Sequence, residues 1–345
     1  MKLYDPNGYA NMPEILSTET PFLLIIGGRG TGKTYGSIKW FLENDIPFIY
    51  LRRTAAEMEL VGKTEFSPIV QIGREIGISL MCEPISKYIY GVYHADAEGK
   101  RTGEAISFVM ALSCVANCRS FSAESITHIL FDEAIPETHL KRTRNENLSI
   151  LNMYESFNRN RELQGRPAMK LIALCNANNM EAPILDALGC VRILDDMRKK
   201  NQSYRVVSAK GLAIFLLKNS PISAEKRETA LYKLAKNNDE FSDMALDNNF
   251  SKDNYTDIQN KPLAEFIPFA TIGSICLYRH KHDYSWYVSE TISGKPAEFQ
   301  NTITDRQRFR LYCIRSWDDY LSKRLIFENV SAKTFYRAVM METMR

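Results

Sequence analysis

The chain has 345 residues, is 45% hydrophobic, and balances 44 basic against 41 acidic side chains for a net charge of +3. That is enough apolar material for two domains, or one large one, with a sizeable core. The seven scattered cysteines form no Cys-x-x-Cys pair and read as reduced thiols, residues 1–22 lack the basic start and apolar core of a signal peptide, and no apolar run is long enough to cross a membrane.

Residues 1–20 are loop-like, with a turn at Asp5-Pro6-Asn7-Gly8. Tyr4 and Tyr9 are placed either to stack on a nucleotide base or to pack on the domain that follows. The apolar run Phe22–Ile26 then ends in Gly27-Gly28-Arg29-Gly30-Thr31-Gly32-Lys33-Thr34, ahead of a helix over Tyr35–Leu42. This is G-x-x-x-x-G-K-[ST] between a strand and a helix, the P-loop pattern. Glycines let the backbone wrap a phosphate with its N–H groups, and the helix start adds positive potential. Lys33 is expected to reach the β- and γ-phosphates of ATP, and Thr34 to ligate Mg²⁺. Arg29 either touches phosphate or pairs with a nearby acid.

Pro47–Leu51 reads as a second buried strand, followed by the pair Arg52-Arg53, which either meets phosphate or DNA or is simply solvated. Residues 54–85 look helical and then extended. Lys87–Val92 and Ala105–Leu112 form a hairpin across the polar turn 98–103, the second arm continuing into the main sheet. His128–Phe131 is an apolar strand ending in Asp132-Glu133. Downstream of a P-loop this pattern predicts a metal-holding Asp132 and a Glu133 that orients and deprotonates the attacking water. Cys114 and Cys118 lie near His128, but nothing completes a zinc site.

Asn145–Phe157 reads as a helix, followed by Arg159-Asn160-Arg161-Glu162. Met169–Asn176 is another buried strand, tipped by Asn176, an amide suited to sensing the γ-phosphate or placing the water. Tyr204–Ser208 and Leu212–Leu217 are further strands. Ser223 is the expected N-cap of a charged helix Ala224–Lys236, and the Asn- and Asp-rich stretch 237–260 marks a linker. Beyond it, Phe266–Tyr278 and Tyr284–Glu290 read as two strands joined at Arg279-His280-Lys281-His282-Asp283, Arg308–Arg315 as another strand, and Ala332–Met344 as a final helix. From residue 258 onward there are 13 basic and 9 acidic residues, so the mild basic bias sits at this end.

Five stretches carry a resemblance to one family: Gly27–Thr34; Phe48-Ile49-Tyr50-Leu51-Arg52-Arg53; Phe131-Asp132-Glu133; Arg159-Asn160-Arg161-Glu162; and Met244-Ala245-Leu246-Asp247-Asn248-Asn249-Phe250. Their order, together with the Tyr4-Asp5-Pro6 opening, resembles the DNA-encapsidation ATPase of small tailed phages, the phi29-type packaging motor. The match runs to residue 250; beyond it only a general strand pattern remains.

The resemblance implies an α/β additional-strand (ASCE) P-loop NTPase domain over 1–222, a small helical linker over 223–257, and a C-terminal α+β domain over 258–345 like a degenerate RNase H fold. It implies a homo-oligomeric ring, typically of five subunits, docked in the host cytoplasm on the portal (connector) vertex of a procapsid, where ATP hydrolysis with Mg²⁺ drives double-stranded DNA inward. It assigns Arg159 as an arginine finger acting on the neighbouring subunit, and places Arg119 in register with a basic residue that also acts across that boundary. The phi29 motor additionally binds a structural packaging RNA, which nothing in this sequence shows. Lys141-Arg142-Thr143-Arg144 is a candidate for gripping DNA phosphates, or a solvated charge run. The competing readings are a small-molecule P-loop kinase, a terminase-type motor with a working nuclease, another P-loop translocase or helicase, and a nucleic-acid-binding scaffold without turnover. The C-terminal acids Asp283, Glu290, Asp305 and Asp318 form no recognisable cluster, so no DNA cleavage is expected.

Overall fold

The computed structural model describes residues 1–118, 121, 124–136, 146–177, 180, 182–234 and 257–341. The chain divides into two compact units, one of Met1–Gly189 with Met197–Ser251 and one of Cys190–Asp196 with Lys252–Arg345.

The first unit is built on a nine-stranded sheet. In chain order its strands are β1 (Phe22–Gly27), β2 (Phe48–Arg52), β3 (Leu80–Ser86), β4 (Ile89–Ala95), β5 (Arg101–Ala111), β6 (His128–Phe131), β7 (Lys170–Cys175), β8 (Tyr204–Val207) and β9 (Leu212–Leu217). Their spatial order is β3-β4-β5-β2-β6-β7-β1-β9-β8. The six central strands, β5 to β9 in that order, pair in parallel. Antiparallel partners close the two edges. Leu23–Ile26 and all of β9 are buried, as continuous apolar runs must be when helices cover both faces of a parallel sheet. The hairpin is present, with β5 running on from it into the parallel core.

Register fixes where the chemistry gathers. Ile26 of β1 lies beside Cys175 of β7, and Gly27 beside Leu217 of β9. Leu51 of β2 lies beside Phe131 of β6. The P-loop, Arg52, Asp132 and Asn176 therefore all leave the sheet at the carboxyl ends of neighbouring parallel strands, where open α/β sheets bind their ligands.

One helix prediction in this unit is corrected. Ala224–Lys236 is not one helix capped by Ser223; a helix spans Pro221–Arg227 and a second one Ala230–Leu234, with residues 235 and 236 outside the described region. Pro221 opens the first, its fixed φ and missing N–H suiting the first helical position. Ser223 is buried in that helix's first turn.

The second unit carries β10 (Phe266–Ile272), β11 (Ile275–His280), β12 (Trp286–Ser289), β13 (Ala297–Phe299) and β14 (Ile326–Phe327) in the order β13-β10-β11-β12-β14. β10 to β12 form an antiparallel meander, while β13 is parallel to β10 and β14 parallel to β12. The expected single strand Phe266–Tyr278 is thus two. Ile272 pairs with Ile275 across Gly273-Ser274, and Gly273 takes φ +55°, the left-handed conformation a two-residue hairpin turn demands. The Arg279–Asp283 segment does lead into the next hairpin, where Asp283 Oδ1 lies 2.8 Å from His280 Nδ1.

The expected strand Arg308–Arg315 is also corrected: the helices Ile303–Tyr312 and Ile314–Leu321 occupy it. Phe309, Cys313 and Trp317 recur every four residues and are all buried, which only a helical path allows. Thr302 caps the first helix, its hydroxyl accepting from the Asp305 N–H at 3.3 Å. The last helix runs Val330–Met341, and its Tyr336 is fully buried among these same side chains.

Candidate active site

The P-loop turns at two left-handed glycines, Gly30 (φ +65°) and Gly32 (φ +83°), and the helix Lys33–Glu43 starts directly after the second. Lys33 is buried beneath the loop. Its ammonium donates to the Gly27 and Gly28 carbonyls, both at 2.8 Å, and lies 3.3 Å from Asn176 Oδ1 at the tip of β7. Burial pulls its pKa down to about 8, and the Asp132 carboxylate opposes that shift. Thr31 is buried within the loop and its hydroxyl donates to the Gly28 carbonyl at 2.9 Å.

Asp132 joins the motif strands. One carboxylate oxygen accepts from the Thr34 hydroxyl at 3.0 Å and from the Glu133 N–H at 3.1 Å. The other accepts from the Tyr50 hydroxyl at 2.7 Å and from Arg52 at 3.2 Å. Burial, and then the Asp132 charge, push the Tyr50 phenol well above its ordinary value, so it remains a donor. Thr34 and Asp132 together offer hard oxygens of the kind Mg²⁺ prefers. Glu133 has φ +52°, a conformation costing about 1 kcal/mol for a residue with a Cβ. Asp132 N–H donating to the Leu51 carbonyl and Ala134 N–H donating to the Leu174 carbonyl, both at 3.0 Å, clamp the backbone on either side of it. The clamp leaves the Glu133 side chain half-exposed at the sheet's carboxyl edge.

The Arg52-Arg53 pair is neither solvated nor uniform. Arg52 contacts Asp132 and Glu133, the latter at 2.6 Å, and lies 3.9 Å from Glu57. Arg53, on the opposite face, is buried in two hydrogen bonds to Glu146 at 2.9 and 2.8 Å. That pairing raises its pKa, the Glu146 hydrogen bonds being the largest cause. Tyr50 and Arg52 are two residues apart on one strand and so share a face; the alternation was visible in the sequence, but their common partner was not.

Two elements border the loop. The Tyr9 ring packs against Gly32 and is 40% exposed, while Ala10 N–H donates to the Thr31 carbonyl at 2.9 Å. Tyr4 is tied into the fold instead, its hydroxyl donating to the Lys218 carbonyl at 2.7 Å. On another side, the Lys226 ammonium donates to the Arg29 carbonyl. Nothing in the sequence pointed to Lys226. The Arg29 side chain is exposed.

Arg159 is not brought to these residues. It follows the helix Glu146–Asn158 with φ +49°, and its guanidinium donates to the Phe121 carbonyl at 3.2 Å. It lines a cavity with Ile126 and Met169, which precede β6 and β7. That is the amino end of the parallel strands, on the order of 15–20 Å from the P-loop given the length of β7. Arg161 is structural: it is buried and donates to the Ile126 and Pro167 carbonyls. Arg119, the Lys141–Arg144 run and the Met244–Phe250 stretch lie outside the described residues.

Residues 4–274 match the family described as Podovirus DNA encapsidation protein (Gp16). The DNA packaging protein of Bacillus phage B103 is 29% identical over 252 residues, spanning 72% of this chain and 70% of that one. That of Bacillus phage phi29 is 27% identical over 262 residues, spanning 74% and 70%. In fold the chain is similar to the Phi-28 gp11 DNA packaging motor (TM-score 0.65, 17% identity, 98% of this chain and 99% of that). It is likewise similar to a chain of the bacteriophage Phi-29 viral genome packaging motor assembly (TM-score 0.63, 20% identity, 97% and 98%). With a match across most of its length, the chain belongs to the podovirus DNA encapsidation protein (Gp16) family.

Proposed function

We propose that this protein is the ATPase of a phage DNA-packaging motor, hydrolysing ATP to drive double-stranded DNA through the portal vertex into a preformed capsid. The observation that carries the reading is the convergence of Lys33, Thr34, Asp132, Glu133 and Asn176 at the carboxyl ends of adjacent parallel strands, in a chain of this family. Lys33 and the P-loop amides hold the β- and γ-phosphates, Glu133 orients and deprotonates the attacking water, and Asn176 senses the terminal phosphate. Thr34 and Asp132 would hold Mg²⁺, which when bound neutralises charge on the phosphate oxygens.

The position of β7 between the P-loop strand β1 and the Asp-Glu strand β6 supports the additional-strand class of P-loop NTPase. In the second unit, the antiparallel meander extended by a parallel strand and backed by helices supports a degenerate RNase H-like domain. The division into ATPase domain 1–222, helical linker 223–257 and C-terminal domain 258–345 belongs to the same proposal. That the motor does not cut DNA belongs to the same proposal.

The motor works as a homo-oligomeric ring, a pentamer on the family pattern, docked on the procapsid portal in the host cytoplasm. Arg159 serves the neighbouring subunit's site, with Arg119 as its companion. A packaging RNA remains a partner by family analogy alone.

The test is steady-state ATP hydrolysis with and without double-stranded DNA. Hydrolysis should be Mg²⁺-dependent and stimulated by DNA. Glu133→Gln should bind ATP but turn it over at least 100-fold more slowly, and Lys33→Ala should lose binding as well. Near-normal turnover in Glu133→Gln would sink the assignment.

A further inference from the structure

We propose that Lys226 is a second phosphate-binding lysine of the same P-loop, acting within its own subunit on the terminal phosphate of ATP; this rests on the ATPase reading above. Two contacts of its ammonium, with adjacent residues of the loop, place it there.

The ammonium donates to the Arg29 carbonyl in the middle of the loop. It also covers the open face of Gly30, where a Cβ would collide with it. Its charge is felt by Lys33, lowering that residue's pKa further. Two ammonium groups thus converge on one phosphate cradle. An ammonium has three N–H donors, and the Arg29 carbonyl takes one, leaving donors for an anion. A triphosphate between Lys33 and Lys226 would turn their mutual repulsion into attraction for both. Partial burial also lowers the Lys226 pKa.

The helix Pro221–Arg227 is held firmly enough to aim it. Leu217 at the end of β9 is in register with Gly27, so this helix follows the strand next to the P-loop strand. The Ser220 hydroxyl donates to the Gly8 carbonyl at 2.8 Å, and Gly8 packs so tightly on Pro221 that a Cβ would lie 2.8 Å from the proline Cβ. The same N-terminal segment is bonded to the loop through Ala10 and Thr31. Lys226 is therefore fixed to the cradle from two directions.

Equilibrium binding of fluorescent ATP and fluorescent ADP, each with Mg²⁺, is measured on the full chain carrying Glu133→Gln, with Lys226 intact or replaced by Met. A lost charge-assisted hydrogen bond to the terminal phosphate should weaken ATP about tenfold or more and leave ADP within about twofold. Equal weakening of both nucleotides would mean that Lys226 only shapes the loop through Arg29. Unchanged or tighter ATP binding would mean that it misses the phosphate or obstructs it. Either result overturns the assignment.

A second measurement needs no substitution at Lys226. In the Glu133→Gln protein, ATP but not ADP should protect Lys226 from mild acetylation, read by mass spectrometry; equal protection, or none, counts against it. A parent protein that binds no nucleotide would overturn the ATPase reading and this assignment together. A parent that binds ATP while the Lys226 variant behaves identically overturns this assignment alone.

Discussion

Arg52 holds Glu133 through a 2.6 Å contact between guanidinium and carboxylate, while its other terminal nitrogen lies 3.2 Å from Asp132. One side chain from β2 thereby ties both acids of the adjacent strand. The Arg52 side chain is only 12% exposed and so held in place, while the Glu133 carboxylate it meets is half-exposed, and the contact is a charge-assisted hydrogen bond. A carboxylate oxygen occupied by the guanidinium is not available to orient a water, so Arg52 should restrain hydrolysis until it lets go. Arg52→Gln is expected to raise DNA-independent ATP hydrolysis severalfold and to shrink the stimulation by DNA. A variant with unchanged basal rate and full stimulation would show that the contact has no part in control.

Nucleotide affinity should depend on alkaline pH. The Lys33 pKa is lowered to about 8, burial being the main cause. Phosphate favours the charged ammonium, so the bound form keeps its proton to higher pH and binding takes up a proton above that value. The dissociation constant for ATP should be flat near pH 7 and weaken with rising pH beyond 8, approaching about tenfold per unit. Lys226, also lowered by burial, adds in the same direction. Titrations from pH 6.5 to 9.5 in buffers of different ionisation enthalpy measure both slope and proton uptake; a flat profile with no uptake contradicts the placement of Lys33 at the phosphates.

Arg159 sits at the amino end of the strands, bonded to the Phe121 carbonyl and remote from its own P-loop. A finger acting in trans predicts that Arg159→Ala binds ATP normally and hydrolyses it at least 100-fold more slowly, within the roughly 10³–10⁵ such groups contribute. Mixed with Glu133→Gln subunits, also inactive alone, it should regain activity, because some interfaces then pair an intact Glu133 with an intact Arg159. If mixed assemblies form and no ratio exceeds the parents, the interfacial role is lost.

His128 makes a separate prediction about stability. Burial, reinforced by Lys170, lowers its pKa from 6.5 to about 4, and its ring packs on Phe41 and Trp40. The unfolded chain binds this proton more readily than the folded one. The stabilisation is therefore complete above pH 6.5 and is lost as pH falls toward 4, at most about 3 kcal/mol for such a shift. Thermal melts between pH 7 and 4.5 should show a smaller acid-induced drop in Tm for His128→Gln than for the parent. Parallel curves would assign the acid sensitivity elsewhere.

The sequence by itself determined what is local. Gly27–Thr34 carries its own conformation, since a tight loop needs glycines at Gly30 and Gly32 and a lysine directly after. The buried strands were legible because a strand covered on both faces must be apolar throughout, as in Leu212–Leu217. The family was legible for the same reason: its marks are short runs of adjacent residues. Where local signals compete, the sequence misled. The apolar run from Phe266 hides the Gly273-Ser274 turn, and in the mixed stretch Arg308–Arg315 the helical signal is a four-residue spacing of Phe309, Cys313 and Trp317 that extends past the segment's end. Only the tertiary structure decided partnerships. Arg52 and Arg53 are neighbours, yet strand alternation sends one to Asp132 and Glu133 on the next strand and the other to Glu146 on a helix. Lys226 lies 193 residues beyond Lys33 and reaches the same loop because β9 pairs with β1. Strand order, which no single segment encodes, chose the charges that meet at the P-loop.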